Sequence, residues 1–215
     1  FCTIDYKTTE NMSEIKAIVF DLGMVLIPFN YEMARNRLNL LKPGAGDRVM
    51  DYVKENYQLF RAFEAGKMTE DEYIPMLMRA AEVEGVVSRE KFCYIYSEIF
   101  SINYDVAELL ELLSKKYRVF LLSNTNPVHR KYGYENFKFF KHFEKLFYSD
   151  EVGAVKPEEA IYRAVEAYSD LKPEQHLFID DINDYAEGAR RCGWHAIQFF
   201  NYKQLVEELK EKCEL

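Results

Sequence analysis

The sequence predicts an α/β fold: a doubly wound parallel sheet interrupted by an inserted helical unit. Two observations carry this expectation. Short apolar runs recur and end in polar residues, as in Lys16-Ala-Ile-Val-Phe-Asp21 and Leu177-Phe-Ile-Asp-Asp181. Such near-continuous runs are typical of strands covered on both faces. After Asn103 these runs alternate with helical stretches, whereas Tyr31 to Ser101 has no strand character.

Taken in order, the first strand spans about Ile15 to Leu22, and Pro28-Phe-Asn30 breaks the chain after it. Tyr31, Ala34, Leu38 and Leu41 follow one helical stripe, which Pro43-Gly-Ala-Gly46 ends. A second helix is expected from Asp47 towards Phe63, stopped by Gly66. Thr69 and Glu72 form a capping box for a third, with Pro75 inside it, and a fourth follows Ser88. Roughly seventy residues of helix are too many for one crossover. Residues 29–101 are therefore expected to form a separate helical lobe, inserted between residues 12–28 and 102–215 of the core.

In the second half, Val106, Leu109, Leu110 and Leu113 mark a helix and Arg118 to Leu122 a strand. A helical segment from Pro127 to about Lys145 leads to a short strand, Leu146 to Ser149. Pro157 suits the first turn of a helix whose inner face is Ala160, Ile161, Ala164, Val165 and Tyr168. A strand at His176 to Asp180, a helix from Asp184, a strand at Trp194 to Phe199 and a helix after Tyr202 complete the pattern. Right-handed crossovers then give a parallel sheet.

Composition narrows the function classes. With 48% hydrophobic residues in 215, the chain can bury an ordinary core. A net charge of −8 argues against nucleic acid or an anionic membrane as partner. No segment has the continuous apolar length of a membrane span. The four cysteines show no C-x-x-C spacing, so reduced thiols and a cytoplasmic location are expected. Residues 1–11 are polar and lack the regions of a signal peptide. We read Met12 as the start and the residues before it as a poorly structured leader.

The carboxyl ends of parallel strands share one edge, where ligands bind. Asp21, Ser123, Lys156 and the pair Asp180 and Asp181 therefore converge on one crevice. A carboxylate, a hydroxyl, a lysine and an acidic pair together suit phosphoryl transfer. At these residues the chain resembles the haloacid dehalogenase superfamily of hydrolases, from about Lys16 to the end. F-D-L-G-M-V at 20–25, L-L-S-N-T-N at 121–126, V-K-P-E at 155–158 with Ile161-Tyr162, and F-I-D-D at 178–181 stand in that family's order. The resemblance implies a Rossmann-like core, with the helical lobe as cap domain.

On that reading Asp21 is the nucleophile, forming an aspartyl-phosphate. Alone, it would pass for a turn or helix cap. The Ser123 hydroxyl and the amides near Asn124 would cradle phosphate oxygens, and Ser123 would suit a helix cap as well. Lys156 would neutralise phosphate and aspartate together, although a lysine beside a helix-starting proline is usually solvated surface. Asp21, Asp180 and Asp181 would repel one another without a cation between them, and Mg²⁺ suits such oxygen donors. The resemblance adds the Gly23 carbonyl as a ligand. Asp184 either orients a metal-bound water or Lys156, or caps its own helix.

Gly23 departs from the family pattern. Most phosphatases of the superfamily carry a second Asp there as general acid/base, a group that contributes about 10²- to 10⁴-fold. An F-D-L-G-x-V branch resembling sugar-phosphate phosphatases shares this glycine. The expected function is thus magnesium-dependent hydrolysis of a small phosphate monoester. The alternative is a catalytically weak relative that binds a phosphorylated ligand or a protein. Dehalogenation fits less well, because dehalogenases place a bulky Tyr at that position and need no magnesium. A mutase fits least, since it relies on the missing acid. His129, His142, His176 and His195 share no ligand spacing and read as structural. The aromatic run Tyr132 to Tyr148 reads as core, with a homodimer interface as the alternative to a monomer. Arg61 and Lys67 could reach an anionic substrate, but solvated surface is their default.

Overall fold

The computed structural model describes residues 14–213. Residues 1–11, Cys2 and Met12 lie outside the described residues.

Five strands, β1 (Ala17–Phe20), β2 (Arg118–Ser123), β3 (Lys145–Tyr148), β4 (His176–Asp180) and β5 (His195–Gln198), form one sheet in the order β3-β2-β1-β4-β5. Every neighbouring pair is parallel. Ala17 pairs with both Arg118 and His176, and Phe20 with Leu121 and Ile179. All of β1 and β4 is buried, which is why Ala17–Phe20 and the centre of β4, Leu177 to Ile179, read as apolar runs. The strand order reverses at β1, with β2 and β3 on one side and β4 and β5 on the other. The crevice outside the carboxyl ends at that switch point is the natural ligand site.

Alternate residues of the strands serve two cores. Ile18, Phe20, Val119, Leu121 and Ile179 pack against α6 (Tyr104–Leu113) and α11 (Tyr202–Lys212). Ala17, Val19, Phe120, Leu122 and Phe178 pack against α9 (Glu159–Ser169) and α10 (Asn183–Arg191). Between β1 and β2, the helices α1 (Tyr31–Leu41), α2 (Ala45–Glu55), α3 (Tyr57–Glu64), α4 (Glu70–Ala80) and α5 (Arg89–Ser97) close over a third cluster. Its centre is Leu38, Val49, Phe63, Tyr73, Leu77 and Phe92. The Thr69–Glu72 capping box opens α4, Pro75 lies within that helix, and Ser88 caps α5.

Several expectations need correction. The helix expected from Asp47 to Phe63 is two, parted at Asn56, whose Nδ2 donates to the Tyr52 carbonyl at 2.9 Å. Asparagine competes in this way for backbone partners and interrupts helices. Leu41 leaves its stripe and is exposed. The stretch from Pro127 to Lys145 is not one helix but α7 (Pro127–His129), a π turn at Arg130–Tyr134 and a 3₁₀ turn at Lys138–His142. Ser149 opens the short helix α8 (Ser149–Val152) instead of ending β3. Pro157 precedes α9, which starts at Glu159, so the buried stripe is Ile161, Tyr162, Val165 and Ser169, with Ala160 and Tyr168 exposed. The rotation carries Tyr162 edge-on to Phe178 and Trp194, at 5.9 and 5.6 Å.

Within the aromatic run, Tyr134, Phe139, Phe147 and Tyr148 are buried, and Phe137, Phe140 and Phe143 pack against the core. Among the described residues, no helix is long and apolar enough to cross a membrane.

Candidate active site

The strand register sets the site. Continuing the β1 pairing by one residue puts Asp21 level with Asp180, and the Asp21 amide donates to the Ile179 carbonyl at 2.8 Å. Two carboxylates are thereby fixed side by side at the carboxyl edge. Asp181 completes the group, and one carboxylate oxygen from each of the three lies within 4.8 Å of the others. Lys156 reaches in from the segment after α8, and its Nζ donates to Asp21 Oδ1 and to Asp180 Oδ2, each at 2.6 Å. Asp180 Oδ1 accepts from the Ile182 amide at 2.8 Å, so both oxygens of Asp180 are bonded. Asn124, one residue past β2, grips the Lys156 backbone at both ends. Its Oδ1 accepts from the Lys156 amide at 2.8 Å, and its Nδ2 donates to the carbonyl at 3.1 Å.

Lys156 is 1% exposed, Asp180 fully buried and Asp21 7% exposed. Burial pushes the Asp21 carboxyl up to about 8, against the pull of Lys156 and with the repulsion of Asp180 and Asp181. Asp181 is raised as well, by burial and then by Asp180. Burial opposes the Lys156 charge, yet Asp180 and Asp21 outweigh it and hold the amine above its usual range. One lysine thus faces three carboxylates, and the edge remains electron-rich and short of cations.

The helical unit supplies the opposite wall. A cavity of about 280 Å³ is lined by Asp21, Lys156 and Asp181 below and by Tyr57, Arg61 and Glu64 of α3 above. Arg61 Nη2 donates to the Lys156 carbonyl at 3.1 Å, so the two walls touch. A smaller chamber of about 80 Å³ adjoins Gly23, Ser123, Thr125 and Glu64.

A family model, haloacid dehalogenase-like hydrolase, matches residues 15–193. The chain belongs to the haloacid dehalogenase-like hydrolases. It is 26% identical over 205 residues to a D-ribitol-5-phosphate phosphatase from Bacteroides thetaiotaomicron, covering 91% of this chain and 97% of that one. It is also 26% identical over 189 residues to a phosphorylated carbohydrates phosphatase from Thermotoga maritima, covering 83% and 82%. Among solved structures, a haloacid dehalogenase family enzyme from Bacteroides thetaiotaomicron in a magnesium complex superposes with a TM-score of 0.75 at 26% identity. That match covers 90% of this chain and 99% of the other.

In this haloacid dehalogenase-like hydrolase the expected site residues meet unevenly. Asp21, Asn124, Lys156 and Asp181 line the main cavity together with Gly23. Asp180 lies behind Lys156, and buried Ser123 lines the smaller chamber. Ser123 does not cap the next helix. Asn126 does so, its side chain accepting from the His129 amide at 3.0 Å. The Gly23 carbonyl accepts from the Val25 amide at 2.6 Å. Met24 follows at φ 55, a left-handed conformation that costs a non-glycine residue about 1–3 kcal/mol. Asp184 is exposed in the first turn of α10. Arg61 enters the cavity, whereas Lys67 is exposed. His129 and His176 are buried and bonded to Ser97 and Ser169, as structural histidines are. The residue missed is Glu64. It sits four positions after Phe60 and next to buried Phe63, so an acid on the apolar face of α3 was the available signal.

Proposed function

We propose that this hydrolase is a magnesium-dependent phosphatase acting on a small phosphorylated carbohydrate through a phospho-Asp21 intermediate. The observation that carries this reading is Lys156 Nζ held at 2.6 Å from both Asp21 and Asp180 on the floor of the cavity between sheet and helical unit. A structural ion pair would need one carboxylate. A lysine shared by two, beside a third, belongs to a site that handles further charge.

Asp21 is the nucleophile. Its Oδ2 is not the oxygen bonded to Lys156, and it attacks phosphorus while the bond to the leaving oxygen breaks. Lys156 holds the Asp21 carboxylate in its attacking orientation and offsets phosphate charge. Asn124 fixes Lys156 through its backbone, and Ser123 and Asn124 line the phosphate side. The acidic group fits a hard divalent cation, because three carboxylates share one cationic side chain and offer only oxygen donors. Asp21, Asp181 and the Gly23 carbonyl would hold it, with Asp180 beside them. Bound magnesium would neutralise these carboxylates and stabilise charge on the phosphoryl oxygens.

Residues 29–101 act as the cap over a core of residues 12–28 and 102–215, and cap closure excludes bulk water. The cavity of about 280 Å³ suits a small ester, and a cytoplasmic sugar or polyol phosphate is the expected partner. The two phosphatase relatives support that class. The test is phosphate release from sugar and polyol phosphates, nucleotides and p-nitrophenyl phosphate, with and without magnesium. Metal-dependent release that disappears in Asp21→Asn is the expected result. Tight ligand binding with no release from any ester would instead favour a phospholigand-binding protein.

A further inference from the structure

Hydrolysis of an alkyl phosphate moves a proton to the departing alcohol and later takes one from water. Gly23 has no side chain to do either. Phe29 partly fills the space instead, its Cε1 3.1 Å from where a Cβ on Gly23 would stand. The main cavity and the smaller chamber both reach Gly23, and Glu64 lines both. We propose that Glu64, on α3 of the helical unit, is the general acid/base of this enzyme, supplying from across the cavity the group that Gly23 lacks. The assignment rests on the phosphatase reading above.

Glu64 is anchored by contacts from outside its own helix. Its carbonyl accepts from Ser149 Oγ at 2.6 Å, and the same hydroxyl accepts from the Thr125 amide at 2.9 Å. The end of α3 is thus tied to the strand end that carries Ser123. Gly66, at φ +66, turns the chain so close to the Asp150 carbonyl that a Cβ there would stand 2.2 Å from its oxygen. The Glu64 side chain is nearly buried, and Oε2 accepts from Arg61 Nη1 at 3.2 Å.

Arg61 and Lys156 are the cations that act on it. Tyr31, Tyr73, Tyr96 and Tyr185 face it from α1, α4, α5 and α10, and burial raises all four phenols, so they stay neutral. Burial outweighs both cations and pushes Glu64 up to about 7, where one group can give and take a proton at neutral pH. The adjoining chamber of about 80 Å³ has polar walls from Ser123, Thr125 and His129. It is large enough to admit water beside those polar walls.

In the first step the Asp21–phosphorus bond forms, the ester P–O bond breaks and the Glu64 proton passes to the leaving oxygen. In the second, water attacks phosphorus and gives its proton to the Glu64 carboxylate. The bond to Asp21 breaks, inorganic phosphate leaves, and both side chains regain their starting forms.

Glu64→Gln keeps the shape and an acceptor for Arg61 but carries no transferable proton. With magnesium present, its kcat/KM for ribitol 5-phosphate should fall by about 10²- to 10⁴-fold. The first turnover of p-nitrophenyl phosphate, whose leaving group needs no acid, should change less than about tenfold and appear as a burst ahead of a slow steady rate. The loss of wild-type activity above about pH 7 on the alkyl ester should vanish in the variant. In Glu64→Ala, formate should restore turnover of ribitol 5-phosphate. Unchanged turnover of both esters in Glu64→Gln, or equal losses for both without rescue of Glu64→Ala, would overturn the assignment. Metal-dependent wild-type activity that is lost in Asp21→Asn keeps the phosphatase reading whichever way Glu64→Gln falls. An inactive wild type overturns both.

Discussion

The two walls of the cavity are positioned by different means. On the sheet side Asp21, Ser123, Asn124 and Asp181 sit at or just past the ends of buried strands, Lys156 follows α8, and strand register alone brings Asp21 level with Asp180. On the helical side Arg61 and Glu64 ride on α3, whose place depends on Ser149, Gly66 and the Lys156 carbonyl, all distant in sequence. On the proposed mechanism the sheet wall holds the nucleophile and the charge cluster, and the helical wall adds the proton carrier. Damage to the first should therefore abolish the reaction for every ester, while damage to the second should depend on which alcohol leaves.

Asp21→Asn is the largest expected effect. Turnover should fall by more than about 10³-fold for alkyl and aryl esters alike, and no phosphoenzyme should be trapped after acid quench. A loss confined to alkyl esters would erase the distinction between the walls. Lys156→Met comes next. It leaves Asp21 and Asp180 buried side by side without their shared cation, and stranding a buried charge costs about 3–5 kcal/mol. Urea unfolding without magnesium reads that loss directly. Lys67→Met, on the exposed face of the helical unit, should stay within about 0.5 kcal/mol of wild type.

The same contrast explains what could be read before the structure. The strand at His176–Asp180 was legible to the residue, because the apolar run of a buried strand is bounded where polarity returns, here at His176 and Asp180. That Asp21 and Asp181 meet was legible because parallel strands deliver their ends to one edge, whereas Lys156 arrives from the segment after α8 and was read from its motif. The Thr69–Glu72 box was legible because capping is local. The break at Asn56 was not, and reading α2 and α3 as one helix hid which face of α3 looks down on the site. For Glu64 the one local sign was an acid on the apolar face of α3, and the rest of its burial comes from the core surface beneath it, which no helical period records. The turns after Pro127 escaped because their shape follows packing against Phe100 and Ser97 from elsewhere in the chain.

Asn124→Ala probes the joint between strand end and lysine. It removes both side-chain bonds to the Lys156 backbone but leaves Nζ its two carboxylates. A misplaced lysine of this kind should lower kcat by about 10²-fold, with KM for phosphate esters changing less. If kcat is unaffected, the ion pairs alone position Lys156, and the strand end matters only for phosphate contact.

The smallest effect at neutral pH belongs to the seam between the walls. His129 stacks on Tyr96 of α5 with ring centroids 4.8 Å apart, and its Nδ1 lies 3.3 Å from Ser97 Oγ. Burial pushes the ring down to about 3, from an ordinary value of 6.5. Between those values the unfolded chain binds a proton that the folded protein refuses. Stability therefore falls as pH drops from about 6.5 towards 3 and is unaffected by this residue above that window. The slope reaches about 1.4 kcal/mol per pH unit. His129→Phe keeps an apolar ring between Tyr96 and Phe100 while removing the titration. Relative to wild type it should gain about 2 kcal/mol between pH 6.5 and 4.5, measured by urea unfolding, with no change in that difference above pH 7. A parallel pair of pH profiles would mean that the ring is protonated in the folded protein, and that the two walls meet through a charged joint instead of a neutral one.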